Sequence, residues 1–112
     1  MSHINWFEKY LEIFDNIESC MIELGVWASE APSQKALQST MPFCVDTMSL
    51  EEWLQFVFLP KMREMIHNNQ LPPGPAQIAP MAEEVYKEQA DKLPLIRLIK
   101  KFDEISHLSR LH

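Results

Sequence analysis

Residues 42–80 read PFCVDTMSLEEWLQFVFLPKMREMIHNNQLPPGPAQIAP, and this stretch decides the fold. Ser49 followed by Glu52 has the spacing of a capping box, in which a hydroxyl accepts from an early backbone N–H and the Glu reaches back. Glu51 and Glu52 suit the partial positive charge at a helix start. From there Leu50, Trp53, Leu54, Val57, Phe58, Met62, Met65 and Ile66 recur at spacings of three and four, which is the helical period. Phe56 and Leu59 fall off that stripe. The middle of the helix is therefore apolar nearly all round, and such a helix is buried by neighbours on more than one side. Trp53 is expected in the core.

Pro60 interrupts this helix. It cannot donate to the Phe56 carbonyl and its ring crowds that turn, so a kink is expected there. Asn68-Asn69 suits the helix end, because Asn tolerates the left-handed conformation found there. Leu71-Pro72-Pro73-Gly74-Pro75 excludes continued helix and predicts a rigid reversal. Pro80 fits the first position of a new helix, where its missing donor costs nothing.

Working outward, four main helices are predicted, at 5–24, 49–69, 80–89 and 92–109. The first carries Trp6, Tyr10, Phe14, Ile17, Met21 and Leu24 on one face, and Gly25 just past its end suits a left-handed residue. Residues 26–44 are irregular, with Ser33 placed to cap a short turn. Met81, Val85 and Tyr86 are assigned the inner face of the third helix. Asp91 is assigned the cap of the last, whose Leu95, Leu98, Ile99, Phe102 and Ile105 repeat at helical spacing. The fold expected is an all-α single domain over 1–112, a bundle of four main helices around a proline-kinked centre.

Composition narrows the function. The chain has 112 residues, 46% of them hydrophobic, enough for one domain with a real core. Two glycines argue against phosphate-cradling loops and tight hairpins. The net charge is −6, and no basic patch is visible beyond Arg97, Lys100 and Lys101, so direct nucleic-acid binding by the chain alone is not expected. Cys20 and Cys44 have no metal-like spacing, and His3, His67, His107 and His112 are scattered, so no cofactor and no metal are expected. No apolar run reaches the roughly 18 residues of a membrane span, and no signal peptide precedes the first helix, so a cytoplasmic location is expected. No nucleophile, acid–base pair or motif points to an enzyme. Seven methionines leave open a small apolar-ligand pocket between helices, although Met at helical spacing also serves as core filler.

The pattern Ser39-Thr40-x-Pro42-Phe43-x-x-Asp46-Thr47-Met48, then Glu52-Trp53-Leu54-Gln55, Pro60-x-Met62, Leu71-Pro72-x-Gly74 and Ile78-Ala79-Pro80, resembles the YqcC-like family of small bacterial proteins. The match spans nearly the whole chain in length and order. The resemblance implies a compact all-helical domain without catalytic activity and a link to tRNA pseudouridylation, since the family's genes often lie beside one for a tRNA pseudouridine synthase. A protein partner is therefore expected, with Pro42, Phe43, Asp46, Thr47, Met48, Lys61, Pro73, Gly74 and Pro80 as its contact residues. The family carries Arg where this chain has Lys61, and Lys cannot supply a bidentate fork. Asp46 has two competing roles: accepting backbone N–H groups at the start of the central helix, or offering its charge to a basic partner.

Overall fold

The computed structural model describes residues 4–110, leaving aside the side chain of Arg110, and the described residues form helices and connecting turns without a strand. His3 and His112 lie outside them. Helix α1 (Trp6–Glu23) starts on Asn5, whose side chain accepts from the Glu8 N–H, and ends into Gly25 at φ 74°. A short α2 (Gln34–Leu37) is capped by Ser33 as expected. The central helix follows as three continuous pieces: α3 (Leu50–Trp53), a π-helical turn (Leu54–Phe58) and α4 (Leu59–His67). Helix α5 (Ala79–Val85) carries Pro80 in its first turn, and α6 (Leu93–Arg110) follows directly on a 3-10 turn at Ala90–Lys92.

The capping box is present, with Ser49 and Glu52 bonded reciprocally. Asn69 closes the central helix at φ 59°. The disruption at Pro60 takes a specific form. One turn before the proline the ladder widens, and the Leu59 N–H bonds the Leu54 carbonyl five residues back. A π-turn inserts about one extra residue and so shifts the helical phase by roughly 100°. That explains a departure from the sequence pattern. Leu59, off the stripe at constant period, is buried in the core, while Val57 is only half-buried.

The core is built from α1, the central helix and α6. Tyr10, Phe14, Phe58 and Phe102 form one aromatic cluster, with centroids 4.9–6.1 Å apart and Phe58 edge-on to both Phe14 and Phe102. Trp53 is not in this core. It sits half-buried at its rim, between Phe58 and Phe43, because Leu54 and Phe58 take the inward positions. On α5 the inner face is Ala79 and Ala82, continued by Tyr86 just past its end, while Val85 points to water. Asp91 does not cap α6 from outside; it lies in the 3-10 turn and pairs with Lys92 at 2.7 Å, which lowers its pKa.

Polar side chains, some at the surface and some buried, tie the helices together. Arg63 bridges from α4 to Asp15 and Glu18 on α1, at 2.9 and 2.7 Å. The Asp103 carboxylate on α6 accepts from the Ile78 and Ala79 N–H groups and so caps α5 from another helix. Burial raises the Asp103 pKa, against the lowering effect of those two bonds. Ser106, fully buried, accepts from the Ala76 N–H.

Both tyrosines of the chain are buried hydroxyl donors or acceptors: Tyr10 shares a bond with Ser109 at 2.7 Å, and Tyr86 donates to Glu51. Burial raises both pKa values above the ordinary 10.0, and the Glu51 carboxylate pushes Tyr86 further. A raised folded-state pKa stabilises the fold below pH 10 and that contribution is lost as pH rises. Phenolate absorbance is therefore expected to stay silent near pH 10 and to appear only together with loss of helical circular dichroism. Phenolate rising near pH 10 with helix intact would contradict this packing.

Candidate functional site

The segment 37–48 is a compact loop held on the outside of α3. Its backbone turns through two consecutive left-handed residues, Phe43 at φ 57° and Cys44 at φ 49°. Left-handed non-glycine residues cost on the order of 1–3 kcal/mol each and persist only where surroundings fix them. Here the surroundings are visible. The Phe43 ring packs edge-on to Trp53 at 4.9 Å, Cys44 is buried, and the Cys44 carbonyl accepts from both the Thr47 and Met48 N–H groups at 3.0 Å.

Side chains close the loop further. Ser39 Oγ donates to Asp46 Oδ1 at 2.5 Å and accepts from the Met41 N–H at 3.1 Å. Thr47 Oγ1 donates to the Ala36 carbonyl at 2.8 Å, fastening the loop to α2. Asp46 is thus a loop cross-link and not a cap of the central helix, because Ser49 already fills that position and Asp46 turns back toward Ser39.

The consequence concerns what faces outward. Phe43 and Met48 turn inward. Leu37, Met41 and Val45 instead present their apolar side chains to solvent, 37%, 49% and 52% exposed. Pro42, Asp46 and Thr47 are exposed beside them. The sequence pattern singled out the residues that shape the loop and missed Met41 and Val45, which the loop displays. Their apolar character is visible in sequence, but nothing in a short irregular segment says which side chains turn out.

The remaining expected contact residues lie elsewhere. Lys61 is exposed on α4 and makes no ion pair among the described residues. Pro73 and Pro80 are exposed and Gly74 is half-buried, in a segment fastened to α6 through Asp103 and Ser106. No hydrogen bond, ion pair or ring contact among the described residues joins this turn to the 37–48 loop. Sequence reading also missed Gln55. Its amide makes a pair of bonds with the Ala28 backbone, 2.7 Å from the N–H and 2.8 Å to the carbonyl, and so pins the 26–28 segment to the central helix. A Gln inside an apolar helical run was the signal. Gln55→Ala is expected to cost about 1–3 kcal/mol by leaving both groups unpaired, measured as a lower urea midpoint; an unchanged midpoint would contradict the pinning role.

Among the described residues no group of three or more His, Cys, Asp or Glu could hold a metal ion. Among the described residues, hollows of about 40–520 Å³ open on the surface at the α1–α6 seam, beside Tyr86, and near Trp6 and Arg63, and the linings of these hollows contain no methionine and no residue of 37–48. Cys20 and Cys44 are free thiols, and burial raises the Cys20 pKa, which disfavours its nucleophilic thiolate. Among the described residues no helix is long and apolar enough to cross a membrane.

Comparison with known proteins gives concordant matches. The family model DUF446, described as tRNA pseudouridine synthase C, matches residues 9–105. An uncharacterised Haemophilus influenzae protein is 33% identical over 101 residues, covering 90% of this chain and 92% of that one. The uncharacterised protein YqcC of Escherichia coli is 37% identical over 67 residues, 60% of this chain and 62% of that one. Its solution NMR structure superposes with a TM-score of 0.82 at 26% identity, covering 92% and 89% of the two chains. A tRNA pseudouridine synthase C of Pectobacterium carotovorum is 46% identical over 54 residues, which are 48% of this chain but 14% of that protein.

Proposed function

The chain belongs to the DUF446 family of YqcC-like proteins, described as tRNA pseudouridine synthase C, and from that premise we propose that it is a non-enzymatic accessory partner of a tRNA pseudouridine synthase. The carrying observation is the Pectobacterium match. The shared segment makes up 14% of a protein named for the synthase, so most of that protein lies outside it. A match to about half of this chain inside a protein of that name supports a partner role for a chain that stands separately.

The contact surface proposed is the 37–48 loop. It is apolar at its tip through Met41 and Val45, and it is cross-linked within itself, so docking orders little that is not already ordered. The non-enzymatic reading is supported by the use of the polar side chains. Asp103, Ser106, Asp46 and Thr47 all bond the chain's own backbone or side chains. The net charge of −6 favours a basic enzyme as partner.

Two experiments test this. The purified chain mixed with the synthase should co-elute on size exclusion, and cells lacking the chain should carry less pseudouridine in the enzyme's tRNA target. No co-elution with or without tRNA, together with unchanged modification, would overturn the reading.

A further inference from the structure

Three cations of this acidic chain lie along one seam between α1 and α6. Lys9 and Lys101 face each other across a small hollow that also holds Glu12 and Asn16. Lys101 and Asn16 continue into a larger hollow of about 520 Å³, where Arg97, Ser19 and Glu23 join them. None of Lys9, Arg97 and Lys101 makes an ion pair among the described residues. Lys100, next along the chain, turns instead toward α5 and Glu83 at 3.6 Å. The fold thus splits the basic triplet of the sequence: it removes Lys100 and adds Lys9 from a helix some ninety residues earlier. Two carboxylates, Glu12 and Glu23, face the same seam, so its lining is positive by one charge in a chain of −6.

We propose that this seam holds a stretch of RNA phosphate backbone. Arg97 and Lys101 are four residues apart on one helix face, roughly 6 Å along the axis, and Lys9 extends the row across to α1. A row of separated, unpaired cations tracks a line of phosphates, and the exposed Asn16 and Ser19 side chains are the neutral donor types that accompany such contacts. An acidic protein segment would meet the same three cations, but a partner of tRNA metabolism favours RNA; this one step rests on the accessory reading above. The seam is distinct from the 37–48 loop, which belongs to α2 and α3. The net negative charge keeps the contact weak for the chain alone at physiological salt.

The test uses the isolated full chain, so it does not depend on the synthase. Unfractionated tRNA is titrated into isotope-labelled protein, and backbone amide shifts are followed by NMR at about 0.02 M and about 0.15 M salt. Shifts are expected at low salt in residues 9–23 and 94–105 and not in 37–48, fading at the higher salt. The triple variant Lys9→Gln, Arg97→Gln, Lys101→Gln, checked by its melt, should lose them. Polyglutamate is the control probe. Absence of tRNA shifts in the seam, shifts that survive the triple variant, or shifts with polyglutamate and not with tRNA would each overturn the proposal. If the seam binds tRNA but no synthase complex forms, this inference stands and the accessory reading fails.

Discussion

Phe102→Ala is expected to lower stability by about 3–5 kcal/mol, the range for truncating a fully buried aromatic. Phe102 is 2% exposed and meets Tyr10, Phe14 and Phe58 at once, so its ring is the joint between α1, the central helix and α6. Domains of this size are stable by about 5–15 kcal/mol, so the loss is a large fraction of the total. Chemical denaturation followed by circular dichroism measures it. Trp53→Ala should cost clearly less, because Trp53 stands at the rim, and its loss should chiefly loosen Phe43 and the loop above it. Equal melts for Phe102→Ala and the parent chain would show that the three-helix core is wrongly drawn.

The second large effect concerns association. Met41→Glu with Val45→Glu should weaken binding to the synthase at least a hundredfold, about 2.7 kcal/mol, since central apolar anchors dominate such interfaces. Both side chains are about half exposed and contribute little to the core, so the melt should stay within about 0.5 kcal/mol of the parent. Surface plasmon resonance with immobilised synthase reads the first quantity and urea denaturation the second. Binding unchanged in the double variant would move the contact away from this loop.

The helices were legible in the sequence because each carries long apolar periodicity and recognisable ends. Ser49 with Glu52, Asn69 and Gly25 do in the structure what their residue types predict. What escaped was phase. A proline announces a disturbance, but only the folded chain reveals that the disturbance is a π-turn, which rotates Leu59 inward and leaves Val57 half out. The short α5 shows the same limit, since two registers fit seven residues and the tertiary contact of Tyr86 with Glu51 selects one.

The loop was legible only as a motif. Ser39, Phe43, Asp46, Thr47 and Met48 stand out as a set, but their roles depend on Ala36, Cys44 and Trp53, brought together by two left-handed residues that no propensity favours. The trans cap from Asp103 to α5 and the Gln55 clamp on Ala28 span 24–27 residues and are likewise beyond local pattern.

The most direct test of the accessory role is calorimetric titration of the purified chain into the purified synthase, with the Met41→Glu, Val45→Glu variant alongside. The account predicts saturable binding with a negative heat-capacity change, as apolar surface is buried, and its loss in the variant. Absence of measurable heat and of saturation across temperatures, with both proteins folded, would contradict it.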